Sequence, residues 1–497
     1  KSSPKCPTST CAEAQGSASK TSTVKPHGVT KSGSPRFRCT NCLKTFTGFS
    51  RVTRASRRPG LDVELLSLLL NKVPMRRICE VANVSPAVLY NQIDRSHSLA
   101  VNFALNHERK LINELNLPRV YLAIDRQEYV FNWGSSLDRR NVVLRAIASS
   151  DNASGYVFGM HLDFDPEMEP ELIERAAILA GDYELPYHFR KFARVWLQQE
   201  YRDTTHTLKR LNSRRGKGTL TEEIIQAYKD GLVTSEELEP RKHADARLPA
   251  FGMQVHSEYT LYAHFWFLEK LLQRVAKIRI FMDQDTGMRA GCLGAFAARV
   301  KDKTVEAFFV RIQKELTVSK KKTLKSTAER LLQKKMVELN TENRNVAIRH
   351  VMEERLTKMI AVGDAGDQWL LHPFPDMSEP EKAVCRITND ESLELSHLAA
   401  LYRKASLHSI DKFFMQVRRR ISLLERPFHS ASGSRVWHGY SGYNPVVSQR
   451  LMELFRIVHN YVLIGDDKKT PAMRIGLATR PYLLAELLRT SMEEGKA

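Results

Sequence analysis

Apolar positions along the chain repeat with two different periods, and the switches between them mark the elements. Leu61, Leu65, Leu68 and Leu69 fall on one helical face. A second short helix is expected over about Met75 to Ala82, ending at Asn83, a residue tolerant of left-handed backbone. Ser85 then offers an N-cap hydroxyl with Pro86 at the first helical position, opening a third helix from Pro86 to Arg95. Helix, turn and capped helix together read as a helix-turn-helix, whose last helix would enter the major groove of a duplex. Ala87, Tyr90, Asn91 and Arg95 are the candidates to face bases or phosphates there. An ordinary small helical bundle is the competing reading of the same pattern.

From Arg119 the period becomes two. Val120 to Ile124 runs straight into Asp125, and Asn141 to Ala148 and Gly155 to Met160 read as two further strands joined by the turn Ser150 to Ser154. A helix over about Glu258 to Val275 leads to a fourth strand, Lys277 to Met282, which ends in Asp283. A helical stretch, Met288 to Val300, and a fifth strand, Thr304 to Ile312, follow. Much later, Asp411 to Arg426 has helical spacing: Phe413, Val417, Ile421 and Leu424 form the apolar stripe, and Arg418, Ser422 and Glu425 share a neighbouring face. Between these elements, Pro166 to His256 reads as largely helical and charged. Lys320 to Leu339 reads as an amphipathic Lys-rich helix, and Gln368 to Leu371 with Ala383 to Ile387 as a strand pair. The fold class is multidomain α/β.

Composition narrows the partners. The chain has 497 residues with 76 Lys and Arg against 56 Asp and Glu, a formal +20. Its hydrophobic content of 42% is enough to build real cores, so wholesale disorder is excluded. No run of about 18 apolar residues is present, which excludes a spanning helix, and no membrane partner is expected. The opening Lys1-Ser-Ser-Pro lacks a methionine and an apolar signal core, so the chain is expected to begin inside a longer gene product. An excess of positive charge this large points to a polyanion, nucleic acid first, because Lys and Arg that neutralise phosphates release condensed counterions. The excess is uneven. Residues 1–60 hold 12 Lys and Arg against the single acid Glu13, a local +11.

The same stretch holds four of the seven cysteines. Cys6 and Cys11, then Cys39 and Cys42, form two knuckles of type C-x4-C and C-x2-C. Two short-spaced pairs can bring four thiolates to the corners of a tetrahedron around one structural Zn2+, which would replace a core that so polar a segment cannot build. A short strand would carry Phe37 toward the first knuckle, and Phe46 would close the sheet behind the second. The x4 spacing is longer than usual, and His27 is an alternative ligand. Cys79, Cys292 and Cys385 stand alone and read as core residues. The basic positions expected on DNA are Arg36, Arg38, Lys44 and Arg54 in and after the ribbon, and Arg418 and Arg426 on the late helix.

Asp125 and Asp283 at strand ends, with Glu425 on a late basic helix, are the acids that a two-metal phosphoryl-transfer site needs. Hard Mg2+ or Mn2+ prefers carboxylate oxygen, and two ions clamp the attacking and leaving oxygens of the phosphate. Asp125 would bridge both ions, and Asp283 and Glu425 would each hold one. Each assignment has a competitor. Asp125 can be an exposed strand-end acid, and Glu425 can simply pair with Arg418 or Arg426. Asp285 competes with Asp283, which is preferred because it directly ends the apolar run; Glu306 is a more distant rival because it lies inside a strand.

Local sequence adds a resemblance. Phe281-Met-Asp283-Gln-Asp285-Thr-Gly287, Leu424-Glu425-Arg426-Pro427 and Trp437-His-Gly-Tyr-Ser-Gly-Tyr-Asn-Pro445 resemble segments of bacterial insertion-sequence DDE transposases. The ribbon Gly33 to Phe46, and Asn460-Tyr461 followed by Lys469 to Ala478, resemble the two ends of such enzymes. The resemblance implies an RNase H-like mixed-sheet catalytic core and two catalytic Mg2+ or Mn2+ ions held by Asp125, Asp283 and Glu425. It also implies, as substrate, double-stranded DNA carrying the element's terminal inverted repeats, joined to target DNA, and a bacterial cytoplasmic, nucleoid-associated setting. Joining two ends calls for a homodimer or higher oligomer on DNA.

The organisation expected is a zinc ribbon over 1–50, a basic tether over 51–60, a helix-turn-helix over 61–110 and the catalytic domain over 119–480, with insertions at about 166–256 and 315–400. The intervals between the three acids are far longer than compact members of the class require. Trp437, His438, Tyr440 and Tyr443 either line a DNA channel or pack under a loop. Two other readings stay open: a non-catalytic DNA-binding regulator derived from a transposase, and a nuclease without strand transfer.

Overall fold

The computed structural model describes residues 24–29, 35–47, 58, 60–132, 137–204, 219–233, 246–285, 287–313, 316–363, 366–429 and 436–489. Cys6, Cys11 and Arg54 lie outside these residues. At the front, β1 (Val24–Val29), β2 (Pro35–Cys39) and β3 (Thr45–Thr47) form an antiparallel three-stranded sheet. The Cys39 N–H donates to the Lys44 carbonyl at 3.0 Å, and Leu43 takes a left-handed φ of 58°, so Cys39-Thr-Asn-Cys42 closes as a tight knuckle. Phe37 packs on Phe46 behind it, ring centroids 6.2 Å apart. Phe37 and Phe46 thus both back the second knuckle, while the first, Cys6 and Cys11, lies outside the described residues.

Three helices follow: α1 (Leu61–Leu69), α2 (Met75–Val81) and α3 (Pro86–Asn113). Ser85 caps α3, its side chain accepting from the Val88 N–H, and Asn83 makes the preceding turn at φ 49°. The third helix does not stop at Arg95. Leu99, Ala100, Ala104 and Leu111 extend its buried stripe, and the helix packs on the late helix Pro445–Tyr461.

The main sheet has eight strands in the order β11-β12-β13-β10-β9-β4-β5-β6. The strands β4 (Arg119–Phe131), β5 (Val142–Asp151) and β6 (Val157–Leu162) form an antiparallel meander. A short pair, β7 (Phe164–Asp165) with β8 (Met253–Gln254), closes the neck of the first long excursion, which carries α4 (Pro170–Ala180) and α5 (Leu220–Val233). After α6 (Ser257–Leu271), strand β9 (Lys277–Asp283) enters parallel to β4; α7 (Met288–Ala295) and α8 (Ala297–Lys301) lead to β10 (Val305–Ile312), parallel to β9. Ile278 to Met282 and Val305 to Val310 are buried throughout, as parallel strands covered on both faces require. Gly291 lets α7 approach α6: a Cβ there would stand 2.5 Å from a Leu261 methyl.

The second excursion holds α9 (Val318–Glu338), α10 (Arg344–Leu356) and three strands, β11 (Ile360–Val362), β12 (Asp367–Leu371) and β13 (Lys382–Arg386). These strands are not a separate layer. They extend the main sheet, with β13 antiparallel to β10. Next come α11 (Leu395–Lys404), α12 (His408–Arg420) across β4 and β5, and α13 (Pro445–Tyr461) between β6 and α3, followed by two short helices, Pro471–Ile475 and Leu484–Leu487. Asn460 of α13 bridges to β6 at both polar groups of Val157, at 2.9 and 2.8 Å. Arg456, buried, donates to Glu108 of α3 at 2.7 Å and to Glu453 at 2.7 Å, and so ties α3 to the sheet. Among the described residues no helix is long and apolar enough to cross a membrane.

Candidate active site

The pairing of β4 with β9 runs in parallel register to Ile124 against Met282, which sets Asp125 beside Asp283 on the next pair of positions. In-register residues of neighbouring strands point to the same face, with backbones about 4.8 Å apart. The two carboxylates also share a local arrangement: each accepts from the backbone N–H of the following residue, Arg126 on Asp125 at 2.7 Å and Gln284 on Asp283 at 2.9 Å. Asp125 does not end its strand. β4 continues to Phe131 because β5 pairs with it along that length; what ends beside Asp125 is β9.

The two faces of β4 carry different chemistry. Asp125, Gln127 and Tyr129 alternate toward α12, where Arg418 lies within the electrostatic reach of Asp125 and Tyr129. Burial, and then the neighbouring Arg426 charge, lower the Arg418 pKa, and Tyr129, Asp411 and Asp125 oppose that. Arg126 and Glu128 alternate toward α6. There Arg126 is ion-paired with Asp285 and donates to the Ser257 hydroxyl at 2.9 Å, while Arg145 reaches Glu128 at 3.4 Å. A cavity of about 180 Å³ sits at this edge, lined by Asp125, Arg126, Gln127, Glu128, Arg145, Asp283, Gln284, Asp285 and Arg311. Asp285, the competitor of Asp283, is the acid that takes this Arg126 ion pair. Glu306 is buried in β10 and bonded to Arg386 at 2.6 Å and Thr388 at 2.7 Å.

Glu425 does not join this cavity. The late helix expected to run to Arg426 stops at Arg420; Ile421 is extended at φ −109°, ψ 110°, and Ser422 to Leu424 form one tight turn. Pro427 bars helical backbone at Arg426, so the helix cannot reach that residue, but the break at Ile421 comes earlier than the proline requires. Glu425 is extended at ψ 151°, and its carboxylate accepts from the Lys72 ammonium at 2.7 Å. Among the described residues, no three His, Cys, Asp or Glu side chains converge closely enough to hold a metal ion. Of the three expected acids, Asp125 and Asp283 line one cavity and Glu425 does not.

Cys39 is buried and Cys42 exposed at the ends of their knuckle, so two of the four expected zinc thiols are on one hairpin. Arg36, Arg38 and Lys44 are exposed around it, and Lys25 stands directly across from Arg38. Like charges opposite one another cost stability unless an anion lies between them or nearby. On α3, Ala87, Tyr90 and Asn91 are exposed while Arg95 is partly buried; Arg426 is exposed. Trp437 and Tyr440 pack edge to face at 5.3 Å and Trp437 meets Phe428 at 6.1 Å, a surface aromatic cluster rather than a buried one. His438 contacts Asn141 at 3.1 Å beside the far end of the β4–β5 hairpin.

Sequence reasoning missed Arg126, Glu128, Arg145, Arg311 and Lys72. The first two were accessible in principle, since Tyr129 and Phe131 continue the alternation of β4 past Asp125. No family model, curated protein or solved structure matches the chain.

Proposed function

We propose that the chain is a DNA transposase with an RNase H-like core, in which a zinc ribbon and helix-turn-helix hold the ends of a mobile element. The observation that carries this reading is Asp125 beside Asp283 on adjacent parallel strands, at the centre of a sheet whose β6-β5-β4-β9-β10 portion combines an antiparallel meander with two parallel strands. The resemblance of the ribbon and of the Phe281 to Gly287 segment supports it.

The ribbon arginines and the exposed start of α3 supply phosphate contacts and base contacts respectively. Arg418 and Arg426 stand where a strand laid over Asp125 would need positive charge. Two adjacent carboxylates suit Mg2+ or Mn2+, which when bound would neutralise phosphate charge and activate the attacking oxygen. The third acid is absent from that donor set in this conformation, so the site as it stands does not fit a three-ligand metal pair. Cys39 and Cys42 fit half of a structural Zn2+ site, with Cys6 and Cys11 as the remaining candidates. Two ends must be joined, so the working species is a homodimer or larger on double-stranded DNA, and the setting is the bacterial cytoplasm.

A second reading is favoured by one observation: the separation of Glu425 from the aspartate pair suits a DNA-binding regulator that has lost catalysis. Mg2+-dependent nicking of DNA carrying the element's own ends decides between them. The transposase reading expects nicking by wild type that Asp125→Ala, Asp283→Ala and Glu425→Ala each abolish; end binding without nicking under Mg2+ or Mn2+ supports the regulator.

A further inference from the structure

Asp125 and Asp283 line one cavity, whereas Glu425 lies outside it in a contact with the helical module at the front of the chain. The turn between α1 and α2 is seated on the C-terminal end of α12. The Lys72 N–H donates to the Arg420 carbonyl at 2.7 Å, and the Ser422 hydroxyl lies 3.4 Å from the Val73 carbonyl. Lys72 holds a left-handed φ of 65°, a conformation that non-glycine residues take up rarely. From that backbone its ammonium reaches Glu425 at 2.7 Å. Glu425 is only 16% exposed, whereas Lys72 is 45% exposed, so another anion can reach the lysine more easily than another cation can reach the carboxylate.

We infer that Lys72 is a positioning residue that withholds Glu425 from the Asp125 and Asp283 pair until a second anion, a DNA phosphate, takes its ammonium. This rests on the transposase reading of the three acids. The contact joins the DNA-binding module to the proposed third ligand, across 353 residues of sequence. Engagement of DNA by the module and completion of the carboxylate set then become one event, and the protein without DNA keeps an incomplete metal site. Such a coupling restrains cleavage away from the element's ends.

Mn2+ titration of the DNA-free full chain by isothermal calorimetry tests this without relying on activity. Lys72→Ala keeps the backbone bond to Arg420 and removes only an exposed side chain, and its far-UV circular dichroism checks that the fold is retained. It is expected to bind Mn2+ roughly 5- to 150-fold more tightly than wild type, the span of typical couplings between sites. The gain should vanish in Lys72→Ala with Glu425→Gln, and Lys72→Arg should bind no more tightly than wild type. Wild-type affinity in Lys72→Ala, or a gain that survives Glu425→Gln, overturns the inference. Asp125→Asn in the Lys72→Ala background separates the two ideas. Mn2+ binding that Asp125→Asn does not weaken sinks the aspartate-pair reading itself. Binding that Asp125→Asn weakens, with Lys72→Ala no tighter than wild type, overturns the latch alone.

Discussion

Asp125→Asn is expected to stabilise the metal-free protein, because the proposed cation site brings like charges together. Asp125 and Asp283 sit on in-register positions of adjacent strands. Two charges about 5 Å apart repel by about 3 kcal/mol at an effective dielectric near 20 and by under about 1 kcal/mol in water. Both residues are partly exposed and the Arg418 guanidinium offsets part of the repulsion, so relief of about 1–2 kcal/mol is expected. Asparagine is the right probe because its carbonyl oxygen can still accept from the Arg126 N–H, bonded at 2.7 Å in the native site. Urea unfolding in EDTA, followed by far-UV circular dichroism, gives the comparison; the chelator would remove a ribbon-bound metal from both proteins alike. With Mn2+ at a hundredfold its Kd the wild type should gain about 2.7 kcal/mol by mass action. The variant should gain much less, so the order of stability reverses. A variant less stable than wild type in EDTA, or one that gains as much from Mn2+, refutes the reasoning.

Three other outcomes follow from the structure. Arg456→Ala strands the Glu108 and Glu453 carboxylates beside α3 and should cost about 3–5 kcal/mol in the same urea assay, a loss that Arg456→Met with Glu108→Gln should partly recover. Burial pushes the His459 pKa down to about 4, so the folded protein binds its proton less readily than the unfolded chain; stability is fully present above about pH 6.5 and is lost as the pH falls toward 4, and melts at pH 5 and 7 should differ less in His459→Asn. Cys39→Ser should lower zinc content by mass spectrometry and weaken binding to duplex DNA, while the urea unfolding of the main sheet stays within about 0.5 kcal/mol of wild type, as expected of distant independent sites.

The sequence reveals most where a pattern is local. β9 and β10 are short, mostly apolar runs interrupted only by single charges such as Arg279 and Glu306, and the capped start of α3 needs only Ser85 and Pro86, so both are legible at sight. The far half of α3 is harder to see because its buried stripe alternates leucines with small or charged residues, Ala100, Ala104 and Glu108, that acquire their role only against α13. The strands 367–371 and 382–386 can be read as strands, but their joining of the main sheet cannot, since β13 finds β10 across a long excursion. Asp125 and Asp283 stand out in the sequence because each closes or interrupts a largely apolar strand. The position of Glu425 was not, because a helical stripe of Phe413, Val417, Ile421 and Leu424 is equally satisfied by a helix that breaks at Ile421 and buries Leu424 from a turn.

The central claim is that Asp125 and Asp283 hold catalytic divalent metal ions on bound DNA, with Glu425 completing the set. Anomalous diffraction from crystals of the protein bound to its element-end duplex and Mn2+ tests it most directly. The account predicts Mn2+ peaks within about 2.0–2.2 Å of oxygens of Asp125 and Asp283, with Glu425 released from Lys72 and ligating. An ordered DNA complex with no peak between the two aspartates, and Glu425 still on Lys72, would contradict it.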